Sequence, residues 1–457
     1  MSSVVRAVSD ALSSCFMQSE LQGKTLYVAY SGGMDSTVLL HVLVRLSSEF
    51  GYTVHAIHVH HGLQATANVW QEHCMKFCKS IHIPLMLYNV AVSRHSGLGL
   101  EASARHARYG VFCDNIPKSS HVFLAHHLRD QAETFFLRLL RGSGAKGLSS
   151  MQPVSKYDHL TIHRPLLAVA YHDMQSYAEH HDLLWVTDPS NDDHQFERNY
   201  IRHKVLPVFD KWPSFYDALY RTCQNLAMDA STISHCVVDV FREISMDLYG
   251  NIVLDRAGFN ALNMPMRVQV LRLWLLSSGY YPLSSQRLDT FILQTFSASQ
   301  DKHPLVSTKQ YKLITSGNKL CLFDLSLSLE HTDFDQPWSF SDVFVGSVCA
   351  MSLHFTEQTV DRLSFSSQFT DVRVLSLSAI KKKSCLTAKQ LKRLWSIILI
   401  PLPLRAFVPF VFADGVLIAV ASTWVGTASN RTDFPKLHLS IKWSKDVVFP
   451  DGKAFFN

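Results

Sequence analysis

The stretch YVAYSGGMDS, residues 27–36, joins an apolar run to a loop with two adjacent glycines, two serines and an aspartate. An apolar run before such a loop and an amphipathic segment after it predict a strand, a phosphate loop and a helix. Glycines let phosphates approach the backbone closely. A common nucleotide-binding loop, G-x-x-x-x-G-K-S/T, supplies a lysine to the phosphates, and this loop has none. The phosphate charge must then be met by other groups or by Mg²⁺, for which Asp35 is the natural carboxylate.

The composition sets the broad class. The chain has 457 residues, of which 47% are apolar and 18% charged, as expected for a soluble protein of two to four domains. No apolar run is long enough to span a bilayer, and the N-terminus reads as an amphipathic helix. We therefore expect a cytoplasmic protein without a membrane partner. The nine cysteines include no C-x-x-C pair, which indicates reduced thiols, and the formal charge of +5 is compatible with RNA.

The first part of the chain alternates apolar runs with amphipathic segments, which predicts an α/β domain over 1–215 with a doubly wound parallel sheet. The predicted strands are 25–30, 52–59, 84–90 and 121–126, and the predicted helices are 36–47, 68–81, 101–115 and 130–141. Ligands of such sheets bind beyond the carboxyl ends of the strands, where the loop lies.

Two further domains follow. Residues 216–330 are mostly helical in pattern, with two short strands near QYKLIT and KLCLFD. Residues 350–457 predict a small α+β domain, in which β-rich runs surround one basic helix, TAKQLKRLWSIIL, and ADG at 413–415 forms a hairpin turn. KKK at 381–383 and the basic residues of that helix could follow a phosphate backbone, and a solvated helix face is the alternative.

The loop SGGMDS resembles the pyrophosphate loop of the ATP pyrophosphatase superfamily, whose members split ATP between the α- and β-phosphates and adenylate a substrate. Further motifs have the order found in the tRNA(Ile)-lysidine synthetase family. They are HVHHGL (58–63), GLEASARHARY (99–109), LAHHLRDQAETFFLRLLRGSGAKGL (124–148), RPLL (164–167), DPSN (188–191) and RNYIR (198–202). The resemblance is dense over 25–207, and the later regions are similar to the two tRNA-binding domains of the longer bacterial form.

The resemblance implies that ATP and Mg²⁺ drive ligation of free L-lysine to C2 of the wobble cytidine in an isoleucine tRNA with a CAU anticodon. In the first step the cytidine C2 oxygen attacks the α-phosphorus and pyrophosphate leaves. In the second, the lysine amine displaces AMP. The product, lysidine, pairs with A and changes decoding from AUG to AUA. A homodimer is compatible with the sequence, which leaves the oligomeric state open.

The resemblance also implies roles for individual residues. It assigns a pyrophosphate cradle to Ser31, Gly32, Gly33, Met34, Asp35 and Ser36. Asp35 would in addition face the magnesium ion, His58 would lie at the adenosine site and Arg105 would contact a phosphate. His60 and His61 are open between a site role and packing or capping at the strand end.

A second group of residues is implied in catalysis: Asp35 again, with His126, Asp130 and Arg202. The alternatives are purely structural roles: an ordinary helix N-cap for Asp130 and a surface salt bridge for Arg202. Many relatives carry an acid before this aspartate, and here Arg129 replaces it. The group that deprotonates the lysine amine stays open between Asp130, Glu133 and the phosphate.

Two other functions remain as alternatives. A tRNA thiolation enzyme is built on the same loop, but such enzymes usually depend on catalytic or cluster-binding cysteines, often as C-x-x-C. This sequence contains no C-x-x-C. The other is a catalytically inactive tRNA-binding protein that keeps the fold, against which the intact loop, Asp130 and Arg202 argue.

Overall fold

A computed structural model describes most of the chain. The described residues are 2–16, 18–60, 67–90, 100–187, 197–248, 251–299, 302–325, 335–338, 344–345, 351–355, 370–398, 400, 405, 408–421, 423–424 and 437–441. The chain divides into two compact units, Met1–Thr232 and Ile233–Asn457. The domain limits of 1–215, 216–330 and 350–457 stay predictions. Within the described residues, no helix combines the length and the apolar character needed to cross a membrane.

The first unit is built on a six-stranded sheet with the order β3-β2-β1-β4-β6-β5. Its strands are β1 Thr25–Ala29, β2 Thr53–His60, β3 Leu85–Asn89, β4 His121–Phe123, β5 Val154–Tyr157 and β6 Leu160–His163. All neighbours are parallel except the edge hairpin of β5 and β6. Because β1 pairs with β2 on one side and β4 on the other, the order of strands reverses at β1. The loop after β1 therefore lies at the switch point where such sheets bind ligands.

Helices cover both faces of this sheet. They are α1 Ser3–Cys15, α2 Gln18–Leu21, α3 Met34–Phe50, α4 Ala67–Ser80, α5 Leu100–Asn115, α6 Leu128–Leu140, α7 Ala145–Leu148, α8 Tyr171–His180 and α9 Glu197–Tyr200. A π-helical turn, Ile201–Val205, and a 3₁₀ turn, Leu206–Phe209, continue α9. Leu26 and Val28 of β1 pack with α1, α3 and α8, whereas Tyr27 packs with α5. Burial on both faces explains the near-continuous apolar strands.

The predicted parallel sheet and its helices are confirmed. The helix after the loop begins at Met34, earlier than the predicted 36, and ends at Phe50, where Gly51 takes a left-handed φ of 73°. The hairpin of β5 and β6 was not expected, because only short apolar segments mark it. Cys74 and Cys78 are both buried on α4, where their spacing of four residues places them on one face of the helix.

The boundary of the two units lies within the long helix α10, Phe215–Ile244. The second unit has the helices α11 Arg256–Ala261, α12 Met264–Ser277, α13 Ser285–Ser297, α14 Leu377–Lys383 and α15 Ala388–Ile398. Its core includes Trp274 of α12 and Phe291 of α13, which pack on β10 and β11. The helical character of the middle region is thus confirmed, together with the two expected strands.

Among the described residues, the strands of the second unit form three sheets, β7-β8-β11-β10-β9, β12-β15-β16-β17-β18 and β13-β14-β19. They are β7 Ser245–Leu248, β8 Asn251–Asp255, β9 Leu305–Ser307, β10 Tyr311–Ser316, β11 Lys319–Asp324, β12 Asp335–Pro337, β13 Phe344–Val345, β14 Met351–Phe355, β15 Val372–Leu375, β16 Phe410–Ala413, β17 Val416–Val420, β18 Thr423–Trp424 and β19 Leu437–Ile441. Asp414 and Gly415 both have positive φ between β16 and β17, which confirms the predicted hairpin.

Candidate active site

The loop after β1 turns sharply at Gly32, whose φ is +86°. The Gly32 carbonyl accepts a hydrogen bond from the Val186 N–H at 3.0 Å, which fixes the direction of the turn. A Cβ at this position would lie 2.9 Å from Cys74 Sγ and 3.2 Å from Val186 Cγ2. Both the backbone conformation and the close packing of α4 beneath it therefore require glycine.

The two loop serines brace this turn. The Ser36 hydroxyl donates to the Gly33 carbonyl at 3.0 Å and accepts from the Ser31 N–H at 3.2 Å. Ser31 Oγ lies 3.0 Å from Ser36 Oγ and accepts from the Gly33 N–H at 3.3 Å. Gly33 is the N-cap of α3 and has no side chain to cap it. The N–H groups of the first turn of α3 thus remain available to an anion, which suits phosphate.

His58 supports the loop from β2. Its Nδ1 donates to the Tyr30 carbonyl at 2.9 Å and lies 3.5 Å from Cys74 Sγ. Burial lowers the pKa of His58, so the ring is neutral at neutral pH. His60 is the last residue of β2, whereas His61 lies outside the described residues, so its role stays open.

The N-terminus of α6 carries a capping box that the sequence did not reveal. His127 is the N-cap, and its Nδ1 accepts from the Arg129 N–H at 3.2 Å. Asp130 Oδ2 accepts in return from the His127 N–H at 3.0 Å. The interpretation of Asp130 as a possible N-cap is therefore wrong, because Asp130 is the third residue of the box. The sequence offered only a partial signal, an acid at the third helical position, because histidine is not among the preferred caps.

This box orients a proton toward Asp35. Because Nδ1 of His127 accepts, its Nε2 carries the hydrogen, and this nitrogen lies 3.4 Å from Asp130 Oδ2 and 3.7 Å from Asp35 Oδ2. The other oxygen of Asp35, Oδ1, is buried and has no hydrogen-bond partner among the described residues. Burial raises the pKa of Asp35, and nearby His127 opposes this shift. Oδ1 of Asp35 could therefore accept a further cationic partner.

A buried ion cluster lies next to the box. Glu133 is completely buried and accepts from Arg198 Nε at 2.6 Å and Arg202 Nε at 2.5 Å. Asp130 Oδ1 accepts from Arg198 Nη2 at 2.8 Å and lies 3.3 Å from Arg202 Nη2. Two carboxylates and two guanidinium groups thus neutralise one another. Burial would raise the pKa of Asp130, but His127 and Arg198 outweigh it and hold the pKa below its usual value.

The alternative interpretation of Arg202, a surface salt bridge, requires an exposed side chain, and the structure does not show one. Its side chain is 22% exposed, and it lies in the π-helical turn that follows α9. Turns of this kind often occur at functional sites. Arg129 Nη2 donates to the Arg202 carbonyl at 3.0 Å, so the residue that replaces an acid supports this turn.

His126 and Arg105 are the remaining predicted site residues that the structure describes. His126 precedes the box, and its Nδ1 is buried without a partner among the described residues. Burial lowers the pKa of His126 to about 3. Arg105 is exposed on α5 and pairs with Tyr109, whose hydroxyl lies 3.0 Å from Arg105 Nη2, rather than with the loop. The motif DPSN at 188–191 lies outside the described residues.

The fold and this geometry define a nucleotide-binding α/β domain of the PP-loop class. A family model for the PP-loop domain matches residues 6–209. Members of this class use ATP. Two more family models match the second unit, the TilS substrate binding domain over 254–321 and the TilS substrate C-terminal domain over 382–443.

Curated relatives identify the family. The tRNA(Ile)-lysidine synthase of Serratia proteamaculans (strain 568) is 30% identical over 89% of this chain and 93% of its own length. The tRNA(Ile)-lysidine synthase of Xanthomonas axonopodis pv. citri (strain 306) is 38% identical, and the match covers 63% of this chain and 64% of that relative. The chain belongs to the tRNA(Ile)-lysidine synthase family, which acts on tRNA(Ile). The resemblance of its motifs is thus confirmed.

A solved structure is also similar at a low level. It is the U34-tRNA thiolase NcsA from Methanococcus maripaludis, 15% identical over 49% of this chain and 77% of that chain, with a TM-score of 0.41. A likeness this low carries no inference about the activity of this chain.

Proposed function

We propose that this protein is an ATP-dependent ligase that joins L-lysine to C2 of the wobble cytidine of isoleucine tRNA with a CAU anticodon. The tRNA would be adenylated first, and lysine would then displace AMP to form lysidine, which changes decoding from AUG to AUA. The observation that carries the proposal is the position of Asp35, at the head of a phosphate loop and 3.7 Å from the His127 ring that caps α6. The name of the relatives, tRNA(Ile)-lysidine synthase, supports isoleucine tRNA as the substrate and lysidine as the product.

The loop residues fit ATP. Gly32 and Gly33 expose backbone at the uncapped N-terminus of α3, and Ser31 and Ser36 hold that backbone in place. We assign the β- and γ-phosphates to this cradle, with Met34 at its first helical position. His58 is neutral and fixed by Tyr30, which fits contact with an uncharged base.

The site also fits Mg²⁺, since Asp35 offers a hard oxygen ligand whose Oδ1 has no partner among the described residues. When bound, Mg²⁺ would supply positive charge to the phosphates, which the loop lacks because it contains no lysine. The residues of the chain would orient ATP and shield it from water. The cytidine oxygen carries no proton to remove, so positioning and electrostatics suffice for the first step.

The second step requires a free amine. The lysine amine would attack C2, AMP would leave with the C2 oxygen, and the amine would release a proton. Asp130 and Glu133 are the acids of the cluster, and Arg198 and Arg202 hold them in place. We assign catalysis to Asp35, His126, Asp130 and Arg202, and we keep Arg105 as a contact to a phosphate of the substrates.

Regions of the second unit would bind the tRNA. Lys389 and Lys392 are exposed on α15, and the lysines of 381–383 are exposed at the end of α14. Cationic side chains at this spacing suit a phosphate backbone. A cytoplasmic location, a lack of membrane partners and a homodimeric assembly complete the proposal.

The decisive experiment incubates the protein with ATP, Mg²⁺, labelled lysine and an isoleucine tRNA transcript. We expect label in this tRNA and none in a methionine tRNA with the same anticodon. Asp35→Ala should abolish incorporation and retain the fold, whereas Asp10→Ala, a matched change at an exposed position of α1, should not affect it. Absence of label, AMP and pyrophosphate would overturn the proposal. Tight tRNA binding without ATP cleavage would indicate an inactive binding protein, and incorporation of sulfur would indicate a thiolation enzyme.

A further inference from the structure

Three side chains with metal-binding chemistry meet at the edge of the first sheet opposite the phosphate loop. Cys113 lies in the last turn of α5, and Asp158 and His159 lie in the turn between β5 and β6. One ligand atom from each lies within 4.8 Å of the other two. Within the part of the chain that the structure describes, no other group of three or more such side chains meets this condition. The function proposed above makes no use of them.

The His159 ring is placed as a metal ligand would be. Its Nδ1 lies 2.9 Å from Asp158 Oδ2, and its Nε2 lies 3.4 Å from the Ile116 carbonyl oxygen. Both partners are acceptors, whereas a neutral imidazole has only one N–H. A cation between Nδ1 and the carboxylate would satisfy all of these groups, because Nε2–H would then donate to the carbonyl. Metal-bound histidines commonly use their second nitrogen in this way.

Cys113 faces the same point. Burial raises the pKa of its thiol, and the carboxylates of Asp158 and Asp114 raise it further. A divalent cation would reverse the effect of these carboxylates and favour the thiolate, so that binding releases a proton. Tetrahedral ligands on zinc are about 3.3 to 3.7 Å apart. The present separations reach this range with shifts of about 1 Å, and the Asp158 side chain is exposed.

We propose that Cys113, Asp158 and His159 bind one Zn²⁺ ion, with the fourth position left to water. A thiolate and an imidazole favour zinc over magnesium, which prefers oxygen ligands alone. The ion would join the end of α5 to the β5–β6 hairpin, which Tyr109 and Tyr157 already connect with a ring separation of 4.4 Å. The proposal is independent of the ATP site, and either could fail without the other.

The test titrates chelator-treated, reduced full-length protein with Co²⁺ as the probe, without ATP. A thiolate-to-cobalt charge-transfer band should appear in the near ultraviolet, saturate at one equivalent and disappear on addition of Zn²⁺. Cobalt bound at Asp35 would give no such band, because the charge transfer requires a thiolate ligand and Asp35 offers only oxygen. Cys113→Ser should remove the band completely, whereas Cys236→Ser, a matched change at an exposed cysteine of α10, should retain it.

His159→Gln provides a second arm if the Cys113 variant fails to fold, as judged by circular dichroism. We expect this variant to keep a thiolate band with Co²⁺ affinity lowered at least about tenfold, because loss of an outer-shell partner of a ligand already has an effect of this size. No band in the unmodified protein would overturn the proposal. So would a band that persists in Cys113→Ser, or an unchanged affinity in His159→Gln.

Discussion

Glu133 is the side chain on which the buried ion cluster depends, and Glu133→Gln tests this dependence. The change keeps the shape of the side chain and removes its charge. In the structure, the Glu133 carboxylate accepts from Arg202 Nε at 2.5 Å through one oxygen. The other oxygen accepts from Arg198 Nε at 2.6 Å and Arg202 Nη2 at 3.1 Å. An amide offers one acceptor only, so its NH₂ group must face a guanidinium N–H.

The expected cost follows from these contacts. The less costly orientation of the amide loses the bond to Arg202 Nε, and a hydrogen bond to a charged group contributes about 1.5 to 3 kcal/mol. The variant also leaves the cluster with one uncompensated positive charge. Removal of a buried ion partner costs about 3 to 5 kcal/mol in general. Arg198 and Arg202 are 26% and 22% exposed, so water reduces this cost. We expect the free energy of unfolding of the first unit to fall by about 2 to 4 kcal/mol.

The measurement is urea unfolding with hydrogen exchange read on peptides that cover α6, because a chain with two units has no single free energy of unfolding. Glu72→Gln is the matched control: it breaks the exposed ion pair of Glu72 with Lys76, and we expect no measurable change. If Glu133→Gln destabilises α6 no more than Glu72→Gln does, the cluster does not stabilise this unit and our reasoning is refuted.

Three other variants test separate features of the first unit. Gly32→Ala should destabilise the fold by about 2 to 4 kcal/mol in urea unfolding, because it combines a positive φ with a close contact to Cys74. Adding Cys74→Ala should recover part of this loss; no recovery would contradict the contact. Burial lowers the pKa of His163 from 6.5 to about 3, so its contribution is complete above pH 6.5 and is lost as the pH falls. His163→Gln should therefore reduce the slope of stability between pH 6.5 and about 4 by up to about 1.4 kcal/mol per pH unit, and an unchanged slope would contradict it. The pKa of Asp35 is raised, so its ionisation opposes folding above its ordinary pKa. Asp35→Asn should raise the melting temperature at pH 7 more than at pH 4 while it abolishes ATP cleavage, and an equal or lower melting temperature at pH 7 would contradict this.

The sequence predicted those features that local pattern determines. Apolar runs such as 25–30 and 52–59 predicted parallel strands, and the ADG sequence predicted a hairpin turn. Gly32 could be recognised as a loop glycine because the whole loop, SGGMDS, is continuous in sequence and follows an apolar run. Burial on both faces of the sheet leaves a continuous apolar run, which is readable without any knowledge of tertiary contacts.

Features that depend on distant contacts were not predictable in this way. Glu133 and Arg202 are separated by 69 residues, and no local pattern shows that their side chains form a buried pair. The role of His127 was missed because histidine is not among the preferred helix caps. Cys74 likewise occupies the space that a side chain at position 32 would need, although the helix of Cys74 and the loop of Gly32 have independent sequence patterns.

The capping box of α6 limits how this site can change. The bond that starts the helix uses Nδ1 of His127, and this bond also leaves Nε2–H to face Asp35 and Asp130. Asparagine or serine would cap the helix at least as well, but neither could place an N–H at the same point. His127 therefore caps α6 less well than asparagine or serine would, but it places the Nε2 hydrogen between Asp35 and Asp130. Stability and site geometry are coupled at this one ring, so His127 cannot be optimised for one of them without a change in the other.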